Sequence, residues 1–181
     1  MTMEKPTIDQ VLAALREKFG EAVLSVHPEY DFLVLTLRKD MVLAIVRFLY
    51  EDERFRFRYL TFATGIHLPN TEKPFGMVYQ LHSLENNLRI RLKAFTTDHD
   101  IHFDSLTPVF PAANWMERET FDFFGYKFHG HPNLKRILNV DDMDYHPLRK
   151  EYPVEDQTRY DKDDTLFGRK PSQYDRKRLM S

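Results

Sequence analysis

The chain has 181 residues, of which 42% are hydrophobic and 14% aromatic, and its formal net charge at pH 7 is -2. This size predicts one compact domain, and the charge balance argues against a nucleic-acid-binding protein, in which lysine and arginine are usually in clear excess. Cysteine is absent, which excludes disulfides, thiolate nucleophiles and cysteine ligands for zinc or ordinary iron–sulfur clusters.

The sequence contains no segment that predicts a membrane-spanning helix. The longest apolar run, residues 41–46, ends at Arg47 and falls far short of the roughly 20 apolar residues that span a bilayer. The amino terminus carries Glu4 and Asp9 and lacks the basic and apolar regions of a secretory signal. We therefore expect a cytoplasmic chain.

The first predicted element is a helix that begins after Thr7. Apolar residues recur at helical spacing as far as Phe19. Thr7 and Gln10 form the capping-box pattern, which satisfies two free N–H groups at a helix start. Gly20 is expected to end the helix, because glycine adopts the left-handed conformation without steric cost.

A β-hairpin and a second helix are predicted next. Residues 22–26 and 32–37 are rich in β-branched and aliphatic side chains, and residues 27–31 between them have the composition of a turn. Asp40 is expected to cap the second helix, which runs to Tyr50 and mixes an apolar face with polar edges.

Three further strands are predicted at residues 58–67, 76–83 and 88–95. The connections between them, residues 68–74 and 85–87, have turn composition. They are shorter than the dozen or so residues that a parallel crossover needs, so we expect antiparallel pairing. The last strand alternates aliphatic residues with a basic row, which either meets an acidic partner or is simply solvated. That basic row consists of Arg89, Arg91 and Lys93.

The second half of the chain predicts one more helix and a polar extension. Two prolines precede a helical segment at residues 112–124, and Gly125 is expected to end it. From residue 141 onward charged residues and proline dominate, so this stretch cannot bury enough apolar surface to fold alone. The sequence therefore predicts an α+β fold: a mostly antiparallel sheet packed with helices in a globular domain of residues 1–145, plus an extended polar C-terminal arm of residues 146–181.

Two carboxylates on the third helix could carry acid–base chemistry. Glu119 and Asp122 lie three residues apart, on the side of the helix that also carries Trp115. The simpler interpretation is that Arg118 pairs with Asp122 while Glu119 is solvated, because charged helix faces are usually paired or solvated. Residue types alone favour this simpler interpretation.

The histidines give no specific metal signature. Two pairs have a ligand-like spacing, His99 with His102 and His129 with His131. A zinc site needs three or four convergent ligands, and neither pair has a helical glutamate motif or a cysteine to complete it. Surface or turn histidines are the simpler interpretation. The sequence also lacks the glycine-flanked serine typical of a nucleophile elbow.

Two motifs of the second half occur together in a known family. The first comprises Glu117, Arg118, Glu119, Asp122, Phe123, Phe124, Gly130, His131, Pro132, Arg136, Ile137 and Leu138, and the second is Pro147-Leu148-Arg149-Lys150-Glu151-Tyr152-Pro153. With these motifs the sequence resembles the 30 kDa subunit family of respiratory complex I, whose bacterial members are called the C subunit. The resemblance extends from about Thr7 to Pro153, although His67 stands where many relatives carry an acid.

The resemblance implies a subunit with no catalytic site, cofactor or metal of its own. It implies a peripheral position on the cytoplasmic side of the bacterial inner membrane, with membrane contact made through the complex, and FMN and iron–sulfur clusters on other subunits. The implied partners are the large quinone-site subunit, of the forty-nine-kilodalton type and called the D subunit in bacteria, and other subunits of the hydrophilic arm. The implied interface residues are Glu117, Arg118, Glu119, Asp122, Phe123, Phe124, Gly130, His131, Pro132, Arg136, Leu148, Arg149, Lys150, Tyr152 and Pro153.

Three alternatives remain open at this stage. Related subunits occur in membrane-bound hydrogenases and in quinone reductases that use other electron donors. A small metal-dependent enzyme would use Glu119, Asp122 and the paired histidines. A free-standing binding module would use the arm as a linear recognition segment.

Overall fold

The structure, a computed structural model, describes residues 5–30, 32–97 and 99–152. Its first half contains α1 (Ile8–Phe19), β1 (Val23–Glu29), β2 (Phe32–Leu37), α2 (Val42–Glu51), β3 (Tyr59–His67) and β4 (Phe75–Ser83). Its second half contains β5 (Leu88–Thr96), β6 (His102–Asp104), α3 (Ala113–Phe124) and β7 (Lys127–His129). The prediction of an α+β fold is confirmed.

Local signals set the ends of two helices as predicted. The hydroxyl of Thr7 accepts from the Gln10 N–H at 3.3 Å, and the Gln10 side chain accepts from the Thr7 N–H at 3.0 Å. Gly125 ends α3 in the left-handed conformation, with φ +79°. Asp40 was wrong as the cap of α2, because it pairs with Arg38 instead and the helix starts after Met41 without a side-chain cap.

The main sheet has five strands in the order β1-β2-β5-β4-β3. The predicted hairpin and the antiparallel pairing of β3, β4 and β5 are confirmed, although β1 continues through His27 and Pro28, where a turn was predicted. β2 and β5 pair in parallel, and the segment between them, which contains α2, β3 and β4, is long enough for the crossover that this pairing needs. β6 and β7 form a small parallel sheet that the sequence did not predict, because three-residue strands are too short to show a period.

The apolar core lies on one face of the main sheet, which we call the inner face. Core residues from α1, α2 and β7 surround this face, and α3 packs against β3. The inner-face side chains of the sheet include Leu35, Leu37, Ala63, Met77, Tyr79, Leu81, Ile90 and Leu92. Alternate side chains of the same strands point to the opposite, outer face.

We predict that Gly65→Ala destabilises the fold. A Cβ atom at this position of β3 would lie 2.9 Å from Cγ2 of Thr120 and 3.0 Å from Cε2 of Tyr126. Overpacking of this kind costs about 1–3 kcal/mol. Urea unfolding followed by circular dichroism measures the loss. The exposed Thr61→Ala in the same strand is the control, with an expected effect below about 1 kcal/mol; equal losses for the two variants would contradict the prediction.

Candidate docking surface

A buried carboxylate near the end of α3 organises the segment that follows β7. Asp122 is fully buried. Its Oδ1 accepts from Arg136 Nη1 at 2.8 Å and from Asn139 Nδ2 at 3.0 Å. Its Oδ2 accepts from the backbone N–H groups of Ile137, Leu138 and Asn139 at 3.0, 2.8 and 3.0 Å. Residues 136–139 are therefore folded around one anion.

The electrostatics of Asp122 favour its charged form. Burial raises the pKa of its carboxyl. Hydrogen bonds from the N–H groups of Asn139 and Leu138, the Asn139 amide and the Arg136 guanidinium together lower the pKa by more than burial raises it. The net result is a pKa below the ordinary value of 3.8. Hydrogen bonds to a carboxylate stabilise its ionised state, so Asp122 is an anion throughout the neutral range.

A second buried acid, Glu117, holds the turn that precedes α3. Its Oε2 accepts from Ser105 Oγ at 2.6 Å, and its Oε1 accepts from the Leu106 N–H at 2.7 Å. Burial raises the pKa of Glu117 to about 7, although these two hydrogen bonds lower it. Glu117 is thus an internal connection between α3 and residues 105–106.

Arg118 does not pair with Asp122. Its guanidinium donates to the carbonyl oxygens of Lys135 and Arg136 at 3.1 and 3.2 Å and lies 5.0 Å from the Trp115 ring centre. The expected Arg118–Asp122 pair is therefore wrong: Arg136, fourteen positions beyond Asp122, is the partner of the carboxylate. Both arginines fix the same segment to α3.

His131 organises the Gly-His-Pro turn. Its Nε2 donates to the carbonyl oxygen of Asn114 at 3.2 Å, and its Nδ1 accepts from the Asn133 N–H at 3.0 Å. Gly130 precedes it at φ +79°. The motif histidine thus links this turn to the start of α3.

The described end of the chain, residues 146–152, binds the end of α3, and we call it the C-terminal clip. His146 Nδ1, the Leu148 N–H and Arg149 Nε donate to the last three carbonyl oxygens of the helix, at 3.0, 3.1 and 2.7 Å. The Lys150 N–H donates to His67 Nδ1 at 3.0 Å. The clip therefore supplies the C-terminal cap of α3.

Phe75 and Gly125 fit the clip closely. His67 stacks on Phe75 with ring centres 4.4 Å apart, and the Arg149 guanidinium lies 5.3 Å from the same ring centre. A Cβ atom on Gly125 would lie 2.6 Å from both Arg149 and His146. The first seven residues of the predicted arm thus pack on the domain, whereas Pro153 and the rest of the arm lie outside the described residues.

The candidate interface residues differ widely in exposure. Glu117 and Asp122 are buried; Arg118, Phe123, Phe124, His131, Arg136 and Arg149 are half-buried; Glu119, Gly130, Pro132, Leu148, Lys150 and Tyr152 are exposed. The structure brings them together around α3, but the two buried acids bind groups of their own chain. Sequence reasoning missed the partners of these acids, Ser105 and Asn139, and the contact of His67 with the clip, because no local pattern marks them.

Large hydrophobic side chains are exposed in the same region. Of the eleven that are exposed among the described residues, six lie on α3 or on the segments attached to it. These six, which we call the apolar patch, are Trp115, Leu138, Val140, Tyr145, Leu148 and Tyr152. Tyr145 and Tyr152 are in ring contact, with centres 5.1 Å apart, and large exposed apolar side chains attached to one helix are typical of protein–protein contact sites.

The histidines and acids do not converge into a metal site in the part of the chain that the structure describes. His102 lies 3.3 Å from Asp100, and His129 lies 3.7 Å from Asp104, so each forms a separate pair. Within the same described residues, the helices are too short or too polar to cross a membrane.

Comparison with known proteins shows the family. The model of the family described as "Respiratory-chain NADH dehydrogenase, 30 Kd subunit" matches residues 35–158. The C subunit of the NADH-quinone oxidoreductase of Methylobacterium radiotolerans is 39% identical over 171 residues, covering 91% of this chain and 79% of that protein. The same subunit of Geobacter sulfurreducens is 38% identical over 148 residues, covering 81% of this chain and 90% of that protein.

Two solved structures share the fold. The trypsin-resistant fragment 1–134 of Nqo5 superposes with a TM-score of 0.61 at 23% identity, covering 70% of this chain and 98% of that one. A chain of an archaeal respiratory membrane complex, the membrane-bound sulfane sulfur reductase, superposes with a TM-score of 0.69 at 21% identity, covering 81% and 85%. With the family match, the conclusion is that this chain belongs to the 30 kDa subunit family of the respiratory-chain NADH dehydrogenase.

We predict that Asp122→Asn destabilises the chain by about 3 kcal/mol or more, because it leaves Arg136 and several N–H groups without their anion. The stability that the lowered pKa of Asp122 supplies is present above the ordinary carboxyl value of 3.8 and is lost as pH falls through the folded-state pKa. Thermal unfolding at pH 7 tests this, with Glu119→Gln as the control for the same charge change on an exposed side chain of α3. Equal melting temperatures for the two variants would refute it.

We predict that Glu117→Gln removes part of the pH dependence of stability. The folded-state pKa of about 7 exceeds the ordinary 4.5, so the unfolded chain ionises first and stability falls as pH rises between these values, by about 3 kcal/mol. Glutamine resembles the protonated acid and does not ionise. Urea unfolding at pH 5 and pH 8 should show the variant gaining on the wild type at the higher pH. Parallel pH profiles would show that Glu117 does not titrate as described.

Proposed function

We propose that this chain is a non-catalytic structural subunit of the hydrophilic arm of the proton-translocating NADH:quinone oxidoreductase, and that it docks onto the large quinone-site subunit. In this role it supports electron transfer from NADH to quinone without carrying electrons. The apolar patch around α3 is the observation that supports docking most directly, in a chain that belongs to the 30 kDa subunit family.

The patch has the features of an interface hot spot. Trp115 is 64% exposed and Leu138 65% exposed, although both belong to segments held by hydrogen bonds to the buried carboxylates of Glu117 and Asp122. A rigid aromatic or aliphatic side chain loses little conformational entropy when a partner covers it. The neighbouring carboxylate of Glu119 and the cation of Lys150 provide a polar rim. The buried acids Glu117 and Asp122 act indirectly in this proposal, by fixing the backbone that carries the patch.

The C-terminal clip sets the direction of the arm. It is bound to three helix carbonyls and to His67, so Tyr152, itself part of the apolar patch, lies at a fixed point at the edge of the domain. We propose that residues 153–181 continue from that point over the partner subunit. Their high content of charged residues supports a segment that gains its contacts from another chain.

The cofactors belong to other subunits in this proposal. The sequence has no cysteine for an iron–sulfur cluster, and we assign the FMN and the clusters to neighbouring chains. The location we propose is the cytoplasmic side of the bacterial inner membrane, with attachment through the rest of the complex and other hydrophilic-arm subunits as further neighbours.

A related machine with another electron donor is the second candidate. The fold similarity to a chain of a sulfane sulfur reductase complex supports this second candidate. The curated relatives at 38% and 39% identity carry the NADH-quinone name and favour the first candidate. The subunits that co-purify with the chain distinguish the two machines.

We predict that replacing Trp115 and Leu148 together by glutamate reduces recovery of the quinone-site subunit with the tagged full-length chain by tenfold or more, on the order of the loss of one hot-spot residue. Binding is expected to weaken because each glutamate would place an unpaired charge inside an apolar contact, where it loses its hydration. The measurement is affinity purification from detergent-solubilised membranes, with quantitative mass spectrometry of the retained subunits.

The matched control replaces Leu24 and Leu84 by glutamate, since these residues are 54% and 65% exposed and belong to β1 and to the turn after β4. Both double variants should keep the melting temperature of the wild type. Equal recovery with both variants would reject the patch as the docking site. Recovery of the wild-type chain alone would reject the proposed function.

A further inference from the structure

The outer face of the sheet forms a second surface, separate from the core. Val34 is fully buried and Val78 is 7% exposed, yet neither belongs to the core cluster on the inner face. Val34 lies beside Arg91 and Val78 beside Lys93, on the two sides of β5. Half-buried Phe32 and Phe62 lie on the same face. Two apolar side chains that are already covered and two that are half-buried make this face more apolar than a fully solvated sheet face.

The outer face is also basic, against the net charge of the chain. Arg89, Arg91 and Lys93 follow one another along β5, the middle strand of the sheet. Glu29 approaches two of these cations, with contacts of 3.5 Å to Arg91 and 3.7 Å to Lys93. Among the described residues one carboxylate is shared between Arg91 and Lys93, so this pair of cations has an excess positive charge, although the whole chain has a net charge of -2.

Arg91 is held in a fixed orientation at the centre of this face. Its Nε donates to Gln80 Oε1 at 2.9 Å. Its guanidinium lies 4.3 Å from the ring centre of Phe32 and 5.9 Å from that of Phe62. Gln80 is 5% exposed, and its Nε2 donor has no partner among the described residues. A guanidinium fixed beside two aromatic rings is suited to an anionic acceptor.

We propose that the outer face binds an acidic segment of a neighbouring subunit, with carboxylates at Arg91 and Lys93 and apolar side chains on Phe32 and Phe62. The inference rests on the proposed function in so far as it requires a multisubunit assembly. A second copy of this chain would bring the same basic row and would be repelled. This surface lies on the side of the sheet opposite α3, so its occupant is separate from the partner at the apolar patch.

The test places a photo-crosslinking amino acid at Thr36 or Thr64 of the full-length chain in the assembled complex. Thr36 lies beside Lys93 and Thr64 beside Val78 on the outer face. Leu84, 65% exposed in the turn after β4, is the control position. The expected result is an adduct from Thr36 and Thr64 to an acidic segment of another subunit, identified by mass spectrometry. Lys93→Glu should reduce its yield about tenfold, whereas Lys73→Glu, in the exposed turn before β4, should not.

Three outcomes would overturn the inference. They are adducts no more abundant than those from Leu84, adducts confined to a second copy, and adducts confined to the acidic stretch of this chain at residues 155–164. The outcomes of this experiment also separate this inference from the proposed function. An acidic adduct in an assembly that lacks the quinone-site subunit would uphold the inference and reject the proposed function. Absence of adducts in an assembly that contains the quinone-site subunit would reject the inference and uphold the proposed function.

Discussion

The buried carboxylate of Asp122 is the interaction on which the second half of the molecule depends. A buried anion is costly unless it is fully hydrogen-bonded, and here one guanidinium donor, one side-chain amide and three backbone N–H groups satisfy it. Arg136 extends this organisation, because its Nη2 also donates to the carbonyl oxygens of Met143 and Tyr145 at 2.7 and 3.2 Å. The chain therefore reaches the clip at His146 already ordered, although residues 130–145 form no helix or strand.

The two buried acids of α3 show how donor number decides protonation. Glu117 receives one hydroxyl and one backbone N–H, which do not offset burial, and its pKa is raised to about 7. Asp122 receives five donors, one of them cationic, and its pKa is lowered. Both are carboxylates, fully buried and five residues apart on one helix. The difference lies in the segments that surround them: a short turn before the helix in one case, and a backbone loop wrapped around the oxygen atoms in the other.

The features that could be predicted from the sequence are those with local causes. Thr7 with Gln10 and Gly125 set helix ends through groups three or four residues away, and the short connections dictated antiparallel pairs. The prediction that Asp40 caps α2 was wrong because Arg38, two residues away, competes for its carboxylate. The parallel pairing of β2 with β5 is a tertiary choice that no window of sequence contains. At the candidate site the motif identified the helix that carries the site. The roles of its residues depend on partners such as Arg136 and Ser105, which are twelve or more positions away in the sequence and are not indicated by any helical or strand period.

A subunit without a cofactor of its own, as proposed for this chain, can contribute to an electron-transfer assembly by fixing the relative positions of its neighbours. The sheet of this chain is suited to that task, because it separates two surfaces of different chemistry: an apolar one around α3 and a basic one on the outer face. The core between them includes fully buried Leu35, Leu81 and Leu92, and close packing resists deformation. On the two proposals made above, neighbours bound at these surfaces would be held at a distance set by the thickness of a helix-covered sheet. Different binding chemistry on the two sides would also prevent one neighbour from occupying the place of the other.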